Sequence, residues 1–251
     1  MGNAILRLAS TDDKLEIAGA VESAGNPSVG SGVSFPGADP VKITSDFGVS
    51  LKDSDVVIDF TSVAASLEHL AAAEKSKKPI VIGTTGFKPA EIELIKKASS
   101  KIPVVFSPNM SVGVNVLFQL VKETAKAVPG YDVEIVELHH NQKKDAPSGT
   151  AAKLAQIIAD TLKRNLAKVG IYGRQGITGA RTKDEIGIMS VRAGDIVGEH
   201  TVYFAGPGER IELTHVAHSR DTLASGALVA AKWLVNQKPG LYDMQDVLNL
   251  K

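Results

Sequence analysis

The sequence predicts an α/β protein, with a doubly wound parallel sheet followed by an α+β domain whose sheet is open and mixed. Three observations carry this. From residue 55 to residue 128, short Val- and Ile-rich runs alternate with helix-period runs, the pattern of parallel strands with helices on both faces. After about residue 166 the alternation stops, and strand-like runs follow one another across short connections. The chain then closes on a capped amphipathic helix over residues 221–235.

The elements follow in order. Residues 1–9 read as a helix with Ile5, Leu6 and Leu8 on its apolar side, and residues 14–22 as a strand ending on Glu22. Residues 25–37 are rich in Gly, Ser and Pro and read as a surface loop. Residues 55–61 form a buried strand and 62–75 a helix, whose His69 is expected to be exposed. Residues 79–87 are a strand with the Gly/Thr-rich exit Gly83-Thr84-Thr85, and residues 90–100 a helix. Residues 102–106 are a strand leaving through Ser107-Pro108-Asn109-Met110, before a long helix over 112–128. A strand enters Glu137, a helix runs from Ala151 to about Leu166, and residues 170–179 are turn-rich. Strands are expected over 186–192, 199–204 and 210–217, and a short tail helix from Gly240. Arg192, His200, His215 and His218 are read as serving sheet structure or subunit contacts.

Composition narrows the function. The 251 residues, 43% of them apolar, suffice for one or two domains with a sizeable core. Lys+Arg and Asp+Glu balance at 28 each, so nothing points to nucleic acid. Cysteine is absent, which excludes disulfides, thiolate zinc sites and cysteine nucleophiles. No stretch reads as a signal peptide or a membrane span, and a cytoplasmic protein without a membrane partner is expected.

The densest chemistry lies in residues 137–151, Glu-Leu-His-His-Asn-Gln-Lys-Lys-Asp-Ala-Pro-Ser-Gly-Thr-Ala. His139 or His140 can exchange a proton near neutrality. Lys143 can meet a carboxylate or act as an acid. Ser148, Gly149 and Thr150 begin a helix, where backbone N–H groups favour an anion and Gly149 permits close approach. A pocket for a small, multiply anionic molecule follows, with proton-transfer groups beside it. The simpler alternative is a capped helix after two incidental histidines. Adjacent strand residues point to opposite faces, which argues against His139 and His140 sharing a metal.

This stretch closely resembles the signature of the 4-hydroxy-tetrahydrodipicolinate (dihydrodipicolinate) reductase family, Glu-x-His-His followed by Lys and Asp-Ala-Pro-Ser-Gly-Thr-Ala. The resemblance implies a Rossmann-like dinucleotide-binding domain, residues 1–110 and 220–251, and a substrate-binding and oligomerisation domain, residues 111–219, assembled as a homotetramer. It implies that His139 and Lys143 are catalytic, and that His140, Gly149 and Thr150 hold the carboxylates of a small dicarboxylate substrate. It places NADH or NADPH against Met1, Glu22, Gly83, Thr84, Thr85, Ser107, Pro108, Asn109 and Met110. Ser23, where family members often carry Arg, leans toward NADH. Met1 and Gly2 resemble the last residues of the family motif Gly-x-x-Gly-Arg-Met-Gly. The first strand and most of the Gly-rich turn are therefore expected to be missing, through a misplaced start, a shortened chain or a natural loss. The implied activity is reduction of 4-hydroxy-tetrahydrodipicolinate in lysine and diaminopimelate synthesis. The alternative is a degenerate, non-catalytic homologue that binds dicarboxylate or only assembles. A semialdehyde dehydrogenase, which shares the two-domain layout, would need a cysteine nucleophile.

Overall fold

The structure, a computed structural model, describes residues 1–35 and 40–251. The last two residues of the loop expected over 25–37 lie outside the described residues. The chain divides into two compact units, Met1–Val112 with Asp221–Lys251, and Gly113–Arg220.

The elements run α1 (Gly2–Ala9), β1 (Ala20–Val21), β2 (Gly32–Val33), β3 (Val41–Thr44), α2 (Phe47–Lys52), β4 (Val57–Asp59), α3 (Val63–Ser76), β5 (Ile80–Ile82), α4 (Pro89–Ser99) and β6 (Pro103–Phe106). After α5 (Val112–Ala127) come β7 (Asp132–His139), α6 (Gly149–Thr161), α7 (Leu166–Val169), β8 (Gly170–Ile171), β9 (Ile186–Arg192), β10 (Gly198–Gly206) and β11 (Glu209–Ala217). The chain ends with α8 (Asp221–Leu234), β12 (Gly240–Tyr242) and α9 (Met244–Val247).

The first unit is built on a four-stranded sheet of order β12-β6-β5-β4, parallel at every junction. Alternation along its short strands sends residues to two cores. Val81 and Val105 meet Ala227, Ala230, Ala231 and Leu234 of α8. Ile80, Ile82 and Val104 meet Leu70 and Ala73 of α3 and Ile95 and Ala98 of α4. Helices thus cover both faces, which is why these strands read as continuous apolar runs. A second sheet of the unit, order β1-β3-β2, pairs β1 parallel and β2 antiparallel to β3.

The second unit has a five-stranded mixed sheet, order β11-β10-β7-β9-β8. β7 is central, parallel to β9 and antiparallel to β10. One face carries Val133, Ile135, Ile186, Ile188, Val202 and Phe204 against α5 and α6. On the other, Arg174 and Arg181 pair with Glu134, while Val191 and Val216 remain exposed.

Both predicted sheet classes are present, with differences at particular elements. The strand expected over 14–22 is ordered as a ladder only at Ala20 and Val21, because among the described residues it pairs with β3 alone, and only there. β3 and α2 escaped the sequence reading, although Asp46 caps α2 by accepting from the Val49 N–H. The helix after the signature stops at Thr161, with Lys163 in the left-handed region at φ 57, and α7 restarts behind an Asn165 cap. Gly240 opens a strand rather than a helix, since the edge of β6 offers it a parallel ladder; α9 begins only at Met244.

Gly226 in the middle of α8 has a packing role: a Cβ there would lie 1.7 Å from the Met110 carbonyl oxygen. Helix propensity alone favours Ala over Gly by about 1 kcal/mol. Gly226→Ala should nevertheless destabilise the protein by about 1–3 kcal/mol through overpacking. Urea unfolding midpoints of the two chains decide the sign.

Candidate active site

The candidate site grows from β7. Its covered face is apolar at Val133 and Ile135 and becomes polar at Glu137 and His139, two residues apart and so on the same side. At this point the start of α6 reaches the sheet. Ser148 caps α6, its hydroxyl accepting from the Ala151 N–H at 3.2 Å, while its own N–H donates to Glu137 Oε1 at 3.1 Å.

Glu137 is fully buried and accepts from three side-chain nitrogens. Arg192 on β9 donates to both oxygens, Nη2 to Oε1 at 2.7 Å and Nη1 to Oε2 at 2.9 Å. His139 Nδ1 lies 2.5 Å from Oε2. Burial pushes the Glu137 carboxyl up, but hydrogen bonds from Arg192, His139, Ser190 and the Ser148 N–H outweigh it and hold the group at about 2. The carboxylate is therefore ionised throughout the working range. Burial pushes the His139 imidazole below its ordinary value, against the bond and charge of Glu137, and the Lys143 and Arg192 charges add to the lowering.

His200 on β10 stands edge-on to His139, with ring centroids 5.2 Å apart. Its Nε2 is 2.9 Å from the Ser148 hydroxyl, and its Nδ1 is buried without a hydrogen-bond partner among the described residues. Burial pushes its pKa down to about 4, with the neighbouring His139 a further cause. Arg192 and His200, read from the sequence as serving sheet structure or subunit contacts, lie in the neighbourhood of His139. The signal that could have found them was the register of β7 with β9 and β10, which pairs His139 with Arg192 and Glu137 with His200.

The remaining signature residues lie around this core. Lys143 forms an ion pair with the exposed Asp145 at 2.9 Å, and Arg192 Nη2 donates to the Asp145 carbonyl at 2.8 Å. His140 is half-buried, its Nε2 3.2 Å from Arg220 Nη2. Gly149 is exposed, with nothing within 4 Å of where a Cβ would stand, so no neighbour in the described chain demands a glycine there. Thr150 is half-buried in the first turn of α6. No His/Cys/Asp/Glu cluster among the described residues could hold a metal.

The residues expected to meet a cofactor lie in the first unit. Gly83, Thr84 and Thr85 follow β5, and Ser107 to Met110 follow β6, at the carboxyl ends of parallel strands where open α/β sheets bind ligands. Gly83 is needed for packing, because a Cβ would strike the Phe60 ring at 2.3 Å. The Thr84 hydroxyl is committed inward, donating to Asp59 at 2.9 Å and accepting from the Thr61 N–H. Thr85 and Pro108 are exposed, Asn109 is half-buried, and Ser107 is buried with its hydroxyl donating to the Asn109 carbonyl. Met110 is 1% exposed in the core against α8, so its side chain does not face a ligand. His69, expected to be exposed, instead bonds Asp59 through Nδ1 at 2.5 Å and stacks on Phe47. Met1 precedes α1 and makes no side-chain cap to it. Glu22 is exposed just beyond β1, its carboxylate accepting from the Ser23 N–H at 3.1 Å.

Comparison with known proteins identifies the family. The family model for the N-terminus of dihydrodipicolinate reductase matches residues 1–110, and that for its C-terminus matches residues 113–248. The chain belongs to the dihydrodipicolinate reductase family. A protein of Syntrophus aciditrophicus named 4-hydroxy-tetrahydrodipicolinate reductase is 52% identical over the whole chain and 95% of its own length. A protein of the same name from Nitrosomonas europaea is 51% identical, again over the whole chain and 95% of its length. Among solved structures, a dipicolinate-bound dihydrodipicolinate reductase from Paenisporosarcina sp. superposes with a TM-score of 0.77 at 25% identity, covering 98% of this chain and 94% of that one.

His200 gives the reductase fold a pH dependence whose sign is fixed. Its folded pKa, about 4, lies below the ordinary 6.5, so the unfolded chain binds the proton first. The stability it contributes is present above about pH 6.5 and is lost as pH falls toward about pH 4. His200→Gln should flatten that loss, by up to about 1.4 kcal/mol per pH unit within the window. Urea midpoints taken across it, for the variant and the parent chain, check this.

Proposed function

We propose that this protein reduces 4-hydroxy-tetrahydrodipicolinate to tetrahydrodipicolinate with a nicotinamide cofactor, in lysine and diaminopimelate synthesis. The observation that carries the reading is His139, buried on a carboxylate and near the Lys143 charge at the start of α6, in a chain about half identical along its whole length to proteins named for this reaction.

In this reading the second unit binds the dicarboxylate and the first the dinucleotide. His140, Gly149 and Thr150 hold the substrate carboxylates, the last two through the positive end of α6. Lys143, released from its exposed pairing with Asp145, faces the anion and stabilises charge that develops as the ring is reduced. His139 and Lys143 supply the proton that balances the hydride. The cofactor, when bound, supplies that hydride. Around it, α1 offers its open first turn to the pyrophosphate, Glu22 accepts from the ribose hydroxyls, and the exits of β5 and β6 border the nicotinamide side. Ser23 provides no cation for a 2′-phosphate, which favours NADH over NADPH. Assembly as a homotetramer and residence in the cytoplasm complete the proposal. They accord with exposed apolar residues on the open face of the mixed sheet, and with no described helix being long and apolar enough to cross a membrane.

The test is steady-state oxidation of NADH and of NADPH by the 251-residue chain with freshly generated substrate. Turnover is expected with both nucleotides, with the higher kcat/KM for NADH. His139→Gln should lower kcat by about 10²–10⁴-fold with KM nearly unchanged. Lys143→Met should lower kcat and also raise KM, since it loses both proton and anion contacts. Absence of turnover with either nucleotide, alongside measurable dipicolinate binding, would replace the reductase by a non-catalytic dicarboxylate binder.

A further inference from the structure

The Glu137 carboxylate is in contact with His139, yet the proposed chemistry gives it no part. It is ionised, and an ionised carboxylate only accepts hydrogen bonds. The imidazole nitrogen facing it, Nδ1, must therefore be the donor. That leaves Nε2 as the atom that gains or loses a proton. The same Glu137 oxygen, Oε2, also receives Arg192 Nη1, so one atom joins the imidazole to the guanidinium. Nε2 faces β10 at Gly198, where a Cβ would stand 3.1 Å from it. The missing side chain keeps that nitrogen uncrowded.

We propose that Glu137, clamped by Arg192, is the positioning residue of this site: it holds His139 as the Nδ1–H tautomer, presents Nε2 for proton exchange, and sets with Arg192 the charge that the ring senses. The proposal rests on the role assigned to His139 above. Among the described residues, four titratable groups face the ring: Glu137 on its own strand, Arg192 from β9, His200 from β10 and Lys143 from the loop after β7. Glu137 is the only anion among them. Its negative charge favours the imidazolium, and the Arg192 charge opposes it. The pair is nearly neutral as a whole, so the ring is oriented without being locked in the protonated state. A merely structural clamp between β7, β9 and α6 would hold the ring in place equally well. It would not require the rate profile to follow the ring when either partner is changed.

The experiment uses that opposition. The full chain and its Glu137→Gln, Arg192→Met and double variants are labelled with 15N-histidine. Each imidazole is titrated by NMR without substrate or nucleotide, and His139→Gln assigns the resonance among the six histidines. In the parent chain the shifts should report Nδ1–H and a bare Nε2 at high pH. Glu137→Gln should move the His139 titration down by about one unit, Arg192→Met should move it up by about one unit, and the double variant should return it near the parent value. The limb of the kcat/KM profile governed by His139 should move in the same directions. Should either single variant fail to fold, as circular dichroism would reveal, the tautomer shifts and the other variant still decide the matter. Equal titrations in all folded variants, displacement in one common direction, or an Nε2–H tautomer in the parent chain would overturn the proposal. Opposed titrations with an unmoved rate limb would uphold the coupling and overturn the catalytic role of His139 on which it rests.

Discussion

A buried, ionised carboxylate has few tolerable surroundings, and Glu137 requires all of those it has. Taking one charge out of water without a partner costs several kcal/mol, so every lone pair must find a donor. Arg192 supplies a two-pronged match from β9, the start of α6 supplies the Ser148 N–H, and His139 supplies Nδ1. Each donor fixes an element: the register of β9 on β7, the point at which α6 meets the sheet, and the rotamer of the imidazole. Arg192 also reaches the Asp145 carbonyl and so ties down the loop that carries Lys143. His139, the start of α6 and the loop carrying Lys143 are thus placed by the requirements of one side chain.

The first unit repeats the device. Asp59, 2% exposed at the end of β4, accepts from Ser66 of α3, from Thr84 beyond β5 and from Thr61, and pairs with His69. Burial pushes its pKa up, while the bonds from His69, Ser66 and Thr84 outweigh it and lower it. The carboxylate ties the exits of two parallel strands to the helix that follows the first. In both units a buried acid stands near the carboxyl end of a strand, where chain direction changes and backbone groups need partners. Loops that leave from such anchored strand ends can present backbone to a ligand while their own polar side chains are already satisfied, as the Thr84 hydroxyl is.

Much of the fold was legible because burial leaves a period in the sequence. β9 and α3 through β6 appear as runs of Val, Ile and Ala at strand or helix spacing, with Ser62 capping α3 and Ser148 capping α6. The reading failed where an element exists only through its neighbour. Residues 14–22 carry strand residues, but only two of them find a ladder. Gly240 to Tyr242 carry no strand signal of their own and are strand because β6 has an edge to fill. His69 looked exposed because nothing local announces that Asp59, ten residues earlier, lies against it.

What the sequence determined by itself was the set of chemical groups: two histidines, two lysines and a helix start within fifteen residues, no cysteine, and balanced charge. These follow from composition and local spacing, which need no third dimension. The tertiary structure alone decided which of those groups share an environment. It buried His139 and left His140 half-exposed, and it joined Arg192 and His200 to a strand more than fifty residues away in the chain. It also made an ordinary glutamate the hub of the site. The reason is physical: the pKa of a group, its tautomer and its reach depend on desolvation and on partners within a few ångströms, and a sheet brings those partners from strands whose order the chain does not spell out locally.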